Sequence, residues 1–109
     1  MIGVTVIRDN EKKVCGFVIS GHAEFSEEGS DIVCSAVTAL AFNTCNSIET
    51  LCDDKLIVDS ADENAGGFLK FMVNKPGEKA RLLLDSLKLG LEKIAEEYHE
   101  YVNITDLQE

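Results

Sequence analysis

Two side chains in this sequence have the chemistry and the spacing for nucleophilic catalysis: the thiol of Cys34 and the imidazole of His22. Asp31 is of a residue type that caps helices, so the pattern after it predicts Cys34 in the first turn of a helix. Free backbone N–H groups and the positive end of the helix dipole favour a thiolate there. A thiolate beside an imidazole is the minimal unit of covalent acyl transfer. Cys34 is therefore the candidate nucleophile, and His22 the candidate base.

The segment between a predicted strand and this helix has to bring the two groups together. His22 stands twelve residues before Cys34, at the start of the polar segment Gly21 to Ser30. Loops of this length are uncommon in compact domains and are often functional. Because the loop leaves a strand and returns to a helix start, we expect its ends to lie close together. Gly21 and Gly29 bracket it as candidate hinges, or as residues that meet a need for positive φ.

Purely structural roles exist for the same residues. Free cysteine is among the most buried residue types, so periodicity alone favours Cys34 as a core thiol. His22 would then bond to nearby backbone, and Asp31 would serve only as a helix cap. His99, at the end of a second predicted helix, is interpreted as solvated. The residues alone leave both interpretations of Cys34 open.

The other cysteines, Cys15, Cys45 and Cys52, are predicted to be inert. Cys15 falls in a predicted strand, whereas Cys45 and Cys52 lie within about 20° of Cys34 on one helix face and read as small hydrophobes. Cys45 would be about 16 Å from Cys34 along the axis, beyond the ~7 Å limit for a disulfide. No C-x-x-C pair is present, which argues against a structural zinc site or a redox dithiol.

The elements that must position these residues follow from hydrophobic periodicity. Two β-rich runs around a polar turn predict a hairpin, and a second strand pair follows a long, weakly charged helix. Pro76 is expected to open a second helix, whose apolar stripe faces a core. The predicted fold is an α+β two-layer sandwich of order ββαββα, with a possible final strand, a mostly antiparallel sheet, a buried central helix and a second, amphipathic helix. The predicted ranges are strands 2–8, 14–20, 55–60, 68–73 and 101–105, a first helix at 31–51, and a second helix with the stripe Ala80, Leu83, Leu84, Leu87, Leu91, Ile94, Ala95 and Tyr98.

Length and charge limit the classes of function. The chain has 109 residues, which predicts one domain over 1–109, and a net charge of −10. Such a surface repels phosphate backbones, so direct nucleic-acid binding is disfavoured and a basic partner fits better. Met1 to Ile7 lacks the basic start of a signal peptide, and no apolar run approaches the roughly 18 residues that span a membrane. We expect a cytoplasmic protein with reduced thiols, whose leftover apolar surface favours a homodimer.

A family resemblance adds to this interpretation. The segments Gly21-His22-Ala23 and Gly29-Ser30-Asp31-Ile32-Val33-Cys34-Ser35-Ala36-Val37-Thr38 resemble the signature of the ribosomal-processing cysteine proteases, over the full length of the chain. The resemblance implies a cytoplasmic homodimeric endopeptidase that removes the N-terminal extension of large-subunit ribosomal protein twenty-seven. It also implies that no metal or organic cofactor is needed.

By position, the resemblance makes Cys34 the nucleophile and His22 the general base. The family's aspartate falls on Asp31, and its loop glycines fall on Gly21 and Gly29. Thr38 stands where the family commonly has serine, so it keeps a hydroxyl that either lines the site or bonds back to its own helix.

The acidic loop residues fit a basic substrate. Glu24, Glu27 and Glu28 would raise the pKa of a nearby thiol if they faced it. We therefore expect them to face the substrate and attract a basic ribosomal protein. The main alternative is a non-catalytic ribosome-associated module that binds the same basic tail, and a thiol redox sensor at Cys34 is a third possibility.

Overall fold

The computed structural model describes residues 1–21, 30–61 and 68–107. Within these ranges the chain forms five strands and two helices in the order ββαββαβ, so the predicted order is confirmed together with its final strand. The strands are β1 (Ile2–Arg8), β2 (Val14–Ser20), β3 (Leu56–Ala61), β4 (Phe68–Val73) and β5 (Val102–Leu107); the helices are α1 (Ser30–Leu51) and α2 (Glu78–Glu97). Neither helix in these ranges is long and apolar enough to cross a membrane.

The strands form one sheet of order β3-β4-β2-β1-β5. The pairs β1–β2, β2–β4 and β3–β4 are antiparallel, and β5 pairs with β1 in parallel. The mostly antiparallel sheet is therefore confirmed. The last strand starts one residue later than predicted, because Tyr101 still belongs to the turn, where its carbonyl accepts the Ile2 N–H at 2.8 Å.

One face of the sheet carries the core. Val4 and Val6 on β1 alternate with residues of the opposite face, and they pair with Ile19 and Phe17 on β2. The Phe17 and Phe71 rings lie with their centroids 5.6 Å apart. Both helices supply side chains to the same cluster. Burying each large side chain contributes about 1.5–3 kcal/mol, which fixes the helical layer on this face.

Helix α1 is buried along one face and exposed along the other. Val33, Val37 and Ile48 are at most 2% exposed, whereas Ile32 and Phe42 on the opposite side are 73% and 51% exposed. The low charge of this helix predicted deep burial, and one face fulfils that prediction. Leu51 is exposed because the helix ends there.

Helix α2 begins later than predicted. Gly77 is its N-cap residue and Glu78 its first helical residue, so Pro76 does not open the helix. Instead, Pro76 is buried and its carbonyl accepts a hydrogen bond from Arg81 Nε at 2.8 Å. The Gly77 N–H donates to Asp54 Oδ2 at 3.3 Å, which ties the helix start to the loop before β3.

The apolar stripe of α2 is confirmed over most of its length. Its fully buried members are Ala80, Leu84, Leu87 and Leu91. Tyr98, predicted as the last member, is the C-cap residue and is 41% exposed, because the helix ends before it.

One end of the sheet collects the chain segments that lead to the candidate site. Ser20, at the end of β2, pairs with Gly3 and with Phe68, and Ile2 pairs with Val102. The starts of β1, β4 and β5 and the end of β2 therefore lie together. Four residues separate the end of α1 from the start of β3, which lies at the opposite end of the sheet. Because its 22 residues span about 33 Å, its first turn lies back toward the end of β2.

Candidate active site

Cys34 lies near the start of α1 and is half-buried. It is the fifth residue of the helix, and its side chain packs against the edge of the core cluster. A helix start leaves its first backbone N–H groups without intrahelical partners, and these point along the helix axis at whatever lies before it. The thiol is thus held by packing while part of its surface stays accessible. A nucleophile needs both properties.

The other cysteines occupy different environments. All four cysteines lie in the described ranges, and none of them forms a disulfide. Cys45 is 6% exposed, and burial together with the nearby Glu49 carboxylate raises the pKa of its thiol to about 11. Cys15 is 5% exposed, whereas Cys52 is half-buried against the core. The predicted burial of Cys45 is confirmed, whereas Cys52, predicted on the same helix face, lies just beyond the end of α1 and is only half-buried.

Helix α1 starts earlier than predicted. Helix α1 begins at Ser30, so Asp31 is its second residue and not its N-cap. The backbone is already helical at residue 30, which places the cap position outside the helix, toward the loop. As the fifth helical residue, Cys34 is two residues deeper in the helix than an N-cap at Asp31 implies.

Thr38 lies one turn beyond Cys34 on α1 and is exposed. Residues four apart on a helix are neighbours on its surface, so the Thr38 hydroxyl is on the same side as the thiol. Thr44, on the same helix, shows a hydroxyl that bonds back to its own helix: its Oγ1 donates to the Leu40 carbonyl at 2.9 Å. Unlike Thr38, Thr44 is buried.

Gly21 fixes the start of the loop that contains the candidate base. Its φ is +78°, in the left-handed region. A Cβ at this position would lie 2.5 Å from the Met1 carbonyl oxygen. Glycine is therefore required here for two independent reasons, one conformational and one steric. The chain must leave β2 in this direction before it reaches residue 22.

Several predicted site residues lie outside the described ranges. These are His22, Glu24, Glu27, Glu28 and Gly29. Their flanking residues, Gly21 and Ser30, are described. In the described ranges, no group of three or more His, Cys, Asp and Glu side chains is arranged to hold a metal ion.

The sequence did not predict which other residues share this end of the sheet. The parallel pairing of β5 with β1 brings the end of α2 here, so exposed His99 lies at the sheet end from which Gly21 departs. The Tyr98 carbonyl accepts the N–H groups of Tyr101 and Val102 at 2.9 and 3.2 Å, which sets the direction of this turn. Apolar alternation at Val102 and Ile104 was the available sequence signal.

Comparison with known proteins identifies a protein family that matches nearly the whole chain. The sequence profile described as cysteine protease Prp matches residues 1–103. A ribosomal processing cysteine protease Prp from Bacillus subtilis is 31% identical over 108 residues, covering 96% of each chain.

Two solved structures have the same fold. A crystal structure of the ribosomal processing protease Prp from S. aureus with a substrate peptide matches with a TM-score of 0.87 and 30% identity, over 98% of this chain and 100% of that one. A second structure of the S. aureus protein, with a covalently linked product peptide, matches with a TM-score of 0.84, 30% identity and the same coverage.

These matches define a cysteine protease, a class that the half-buried thiol at the start of α1 suits. Within that class, the chain belongs to the cysteine protease Prp family. The predicted resemblance and the predicted α+β fold are both confirmed.

Proposed function

We propose that this protein is a cysteine endopeptidase that removes the N-terminal extension of large-subunit ribosomal protein twenty-seven. The observation that carries the proposal is the position of Cys34, half-buried near the start of α1, in contrast to the buried Cys45 of the same helix. Relatives named ribosomal processing proteases support the substrate class. The covalently linked product peptide in the S. aureus relative supports a covalent intermediate.

The proposed reaction uses Cys34 as nucleophile and His22 as base. His22 accepts the thiol proton, and the sulfur forms a bond to the carbonyl carbon of the scissile peptide. The carbonyl oxygen becomes an oxyanion, which the free N–H groups at the start of α1 stabilise. The C–N bond then breaks as the protonated His22 gives its proton to the leaving amine. Water hydrolyses the thioester, releases the carboxylate product and restores the thiol.

Residues around the nucleophile and the base have supporting roles in this proposal. We propose that Asp31 orients the helix start or the base and that the Thr38 hydroxyl lines the site one turn beyond Cys34. Gly21 and Gly29 act as hinges of the segment between them. Glu24, Glu27 and Glu28 attract the basic substrate chain. The positive φ of Gly21 supports the hinge role, because the backbone direction changes there.

We further propose a single domain over residues 1–109 that forms a homodimer in the cytoplasm. The radius of gyration is 13.5 Å, and single domains of about 100 residues have about 13 Å. Large apolar side chains remain exposed on the helical layer, among them Phe42, Leu82 and Leu89. A second copy that covers them would remove this surface from water.

Cleavage of the extended ribosomal protein tests the function directly. We expect the wild-type protein to release the extension and Cys34→Ala to release none. Cys52→Ala, the same change at another half-buried cysteine just beyond the end of α1, retains cleavage. Mass spectrometry of the products gives the scissile bond. Binding of the substrate without cleavage by the wild type would support the non-catalytic module instead. Equal cleavage by Cys34→Ala would refute the assignment of the nucleophile.

A further inference from the structure

Strand β5 presents a backbone edge that the described residues leave open. It is the outermost strand on its side of the sheet, with β1 as its neighbour. The Ile2 N–H donates to the Tyr101 carbonyl, so Tyr101 and every second residue after it face β1. The Val102 N–H points the other way and bonds to the Tyr98 carbonyl. Ile104 therefore directs both its N–H and its carbonyl outward.

A groove runs beside this edge, between α2 and β5. It has a volume of about 590 Å³. Ala95, Val102 and Ile104 give it an apolar floor, and Val102 and Ile104 belong to the same alternate set whose backbone groups point outward. An added strand would thus find hydrogen-bond partners and an apolar surface for every second side chain.

Three carboxylates line the rim of the groove. Glu92, Glu96 and Asp106 are among its lining residues, and Lys88 is the one lysine or arginine among the described lining residues. Each carboxylate has an ion-pair partner: Glu92 with Lys88 at 3.2 Å, Glu96 with Lys93 at 3.3 Å and Asp106 with Arg8 at 2.7 Å. The Glu92 and Glu96 side chains are nevertheless 47% and 70% exposed. Exposed carboxylates of this kind remain available to a cationic side chain that approaches from solvent.

We propose that the β5 edge binds an extended, Lys- and Arg-containing polypeptide segment by strand addition, as a docking site for the part of the substrate away from the scissile bond. The substrate part of this statement rests on the proposed function. Six residues of β5 accommodate about 20 Å of extended chain. The groove begins at His99 and Val102, at the sheet end from which Gly21 departs. A chain that enters the active site can therefore continue along β5.

Charge favours this occupant over a second copy of the chain. A two-fold pairing of β5 with β5 would bring the exposed Glu92 and Glu96 side chains toward those of the other copy, in a protein of net charge −10 per copy. A basic segment instead meets the exposed carboxylates of Glu92 and Glu96. The apolar floor accepts the aliphatic stems of lysine and arginine.

The test uses a labelled peptide of alternating lysine and valine, without a cleavage site, and fluorescence anisotropy. Methylating every second backbone nitrogen of the peptide removes the hydrogen bonds to Ile104 but keeps its charge. We expect a Kd about three- to tenfold weaker when the methylated nitrogens face β5, and a Kd close to the parent's when the alternate set is methylated. Equal Kd values for the two methylated peptides would overturn strand addition.

Substitutions in the protein test the same docking site. The double variant Glu92→Gln/Glu96→Gln is expected to weaken binding about three- to tenfold, and a charge-matched double variant outside the groove, Glu11→Gln/Glu78→Gln, about twofold or less. Equal losses in the two would show general attraction to an acidic surface and overturn the site. Ile104→Pro removes an outward N–H at an edge strand, where proline is tolerated. If Ile104→Pro converts a dimer into monomers in sedimentation, the edge is occupied by a second copy and the proposal is wrong.

Kinetics separate this proposal from the proposed function. With the full extended substrate, Glu92→Gln/Glu96→Gln is expected to raise KM about three- to tenfold at unchanged kcat. With a short peptide that holds only the cleavage site, both constants stay at wild-type values. A wild-type protein that cleaves neither substrate would refute the proposed function, whereas one that cleaves both with no effect of the variant would refute the docking site alone.

Discussion

Replacing Gly21 with alanine tests whether the end of β2 fixes the path of the chain into the active-site loop. The left-handed φ of +78° costs an L-residue about 1–2 kcal/mol. The added Cβ would also lie 2.5 Å from the Met1 carbonyl oxygen, a backbone atom that has to move. Overpacking of this kind costs about 1–3 kcal/mol. Because Met1 is 68% exposed and can shift in part, we expect the free energy of unfolding to fall by about 2–3 kcal/mol.

The assay combines urea unfolding, followed by far-UV circular dichroism, with substrate cleavage at a temperature where both proteins are folded. Because residue 22 follows directly, we expect Gly21→Ala also to lower kcat/KM at least tenfold. Gly3→Ala is the matched control: its Cβ would lie 3.4 Å from Ser20 Oγ, a contact that a side chain can relieve. It should change the free energy of unfolding by about 0.5 kcal/mol or less. Wild-type stability and wild-type kcat/KM in Gly21→Ala would refute the reasoning.

Three further predictions concern the thiols, an ion pair and the core. Iodoacetamide at pH 8 should modify Cys34 before Cys45, whose pKa is raised to about 11 by burial; peptide mapping that finds equal rates in the folded protein would contradict this. Asp106 accepts two hydrogen bonds of 2.7 Å from the guanidinium of Arg8, and these bonds lower the pKa of the Asp106 carboxyl. Its contribution of about 1 kcal/mol is present above the unfolded pKa and is lost as the pH falls through the folded one, so wild type and Asp106→Asn should differ in stability at pH 7 and converge near pH 2. Leu84→Ala should lower the free energy of unfolding by about 2–5 kcal/mol, and the control Leu82→Ala, on the exposed face of α2, by about 0.5 kcal/mol or less. Equal melting temperatures of the two variants would contradict the orientation of α2, in which Leu84 faces the core.

Local patterns predicted the elements of this fold. Alternation such as Val4 and Val6 identified the strands, because side chains of a strand point to opposite faces. Spacing of three and four identified both helices. The start of α2 was misplaced at Pro76: the N-cap residue is Gly77, and its N–H bonds to Asp54, which lies 23 residues earlier in the chain. Such a contact leaves no local signal.

The candidate site shows the same limit. Cys34 was identified from its neighbours in sequence, and it lies half-buried near the start of α1, although that helix begins earlier than predicted. The groove beside β5 was missed, because it depends on the parallel pairing of β5 with β1 across almost the whole chain. The exposed apolar face of α1 was missed as well, since low charge predicts burial without saying what covers each face.

The most direct test of the account is the site of the covalent intermediate. Wild-type protein is mixed with the extended ribosomal substrate, quenched in acid within one turnover and digested for mass spectrometry. We predict an acyl group on the peptide that contains Cys34, joined as a thioester that hydroxylamine removes. An acyl group on any other residue, or turnover by Cys34→Ala at the wild-type rate, would contradict the central claim that this thiol is the nucleophile.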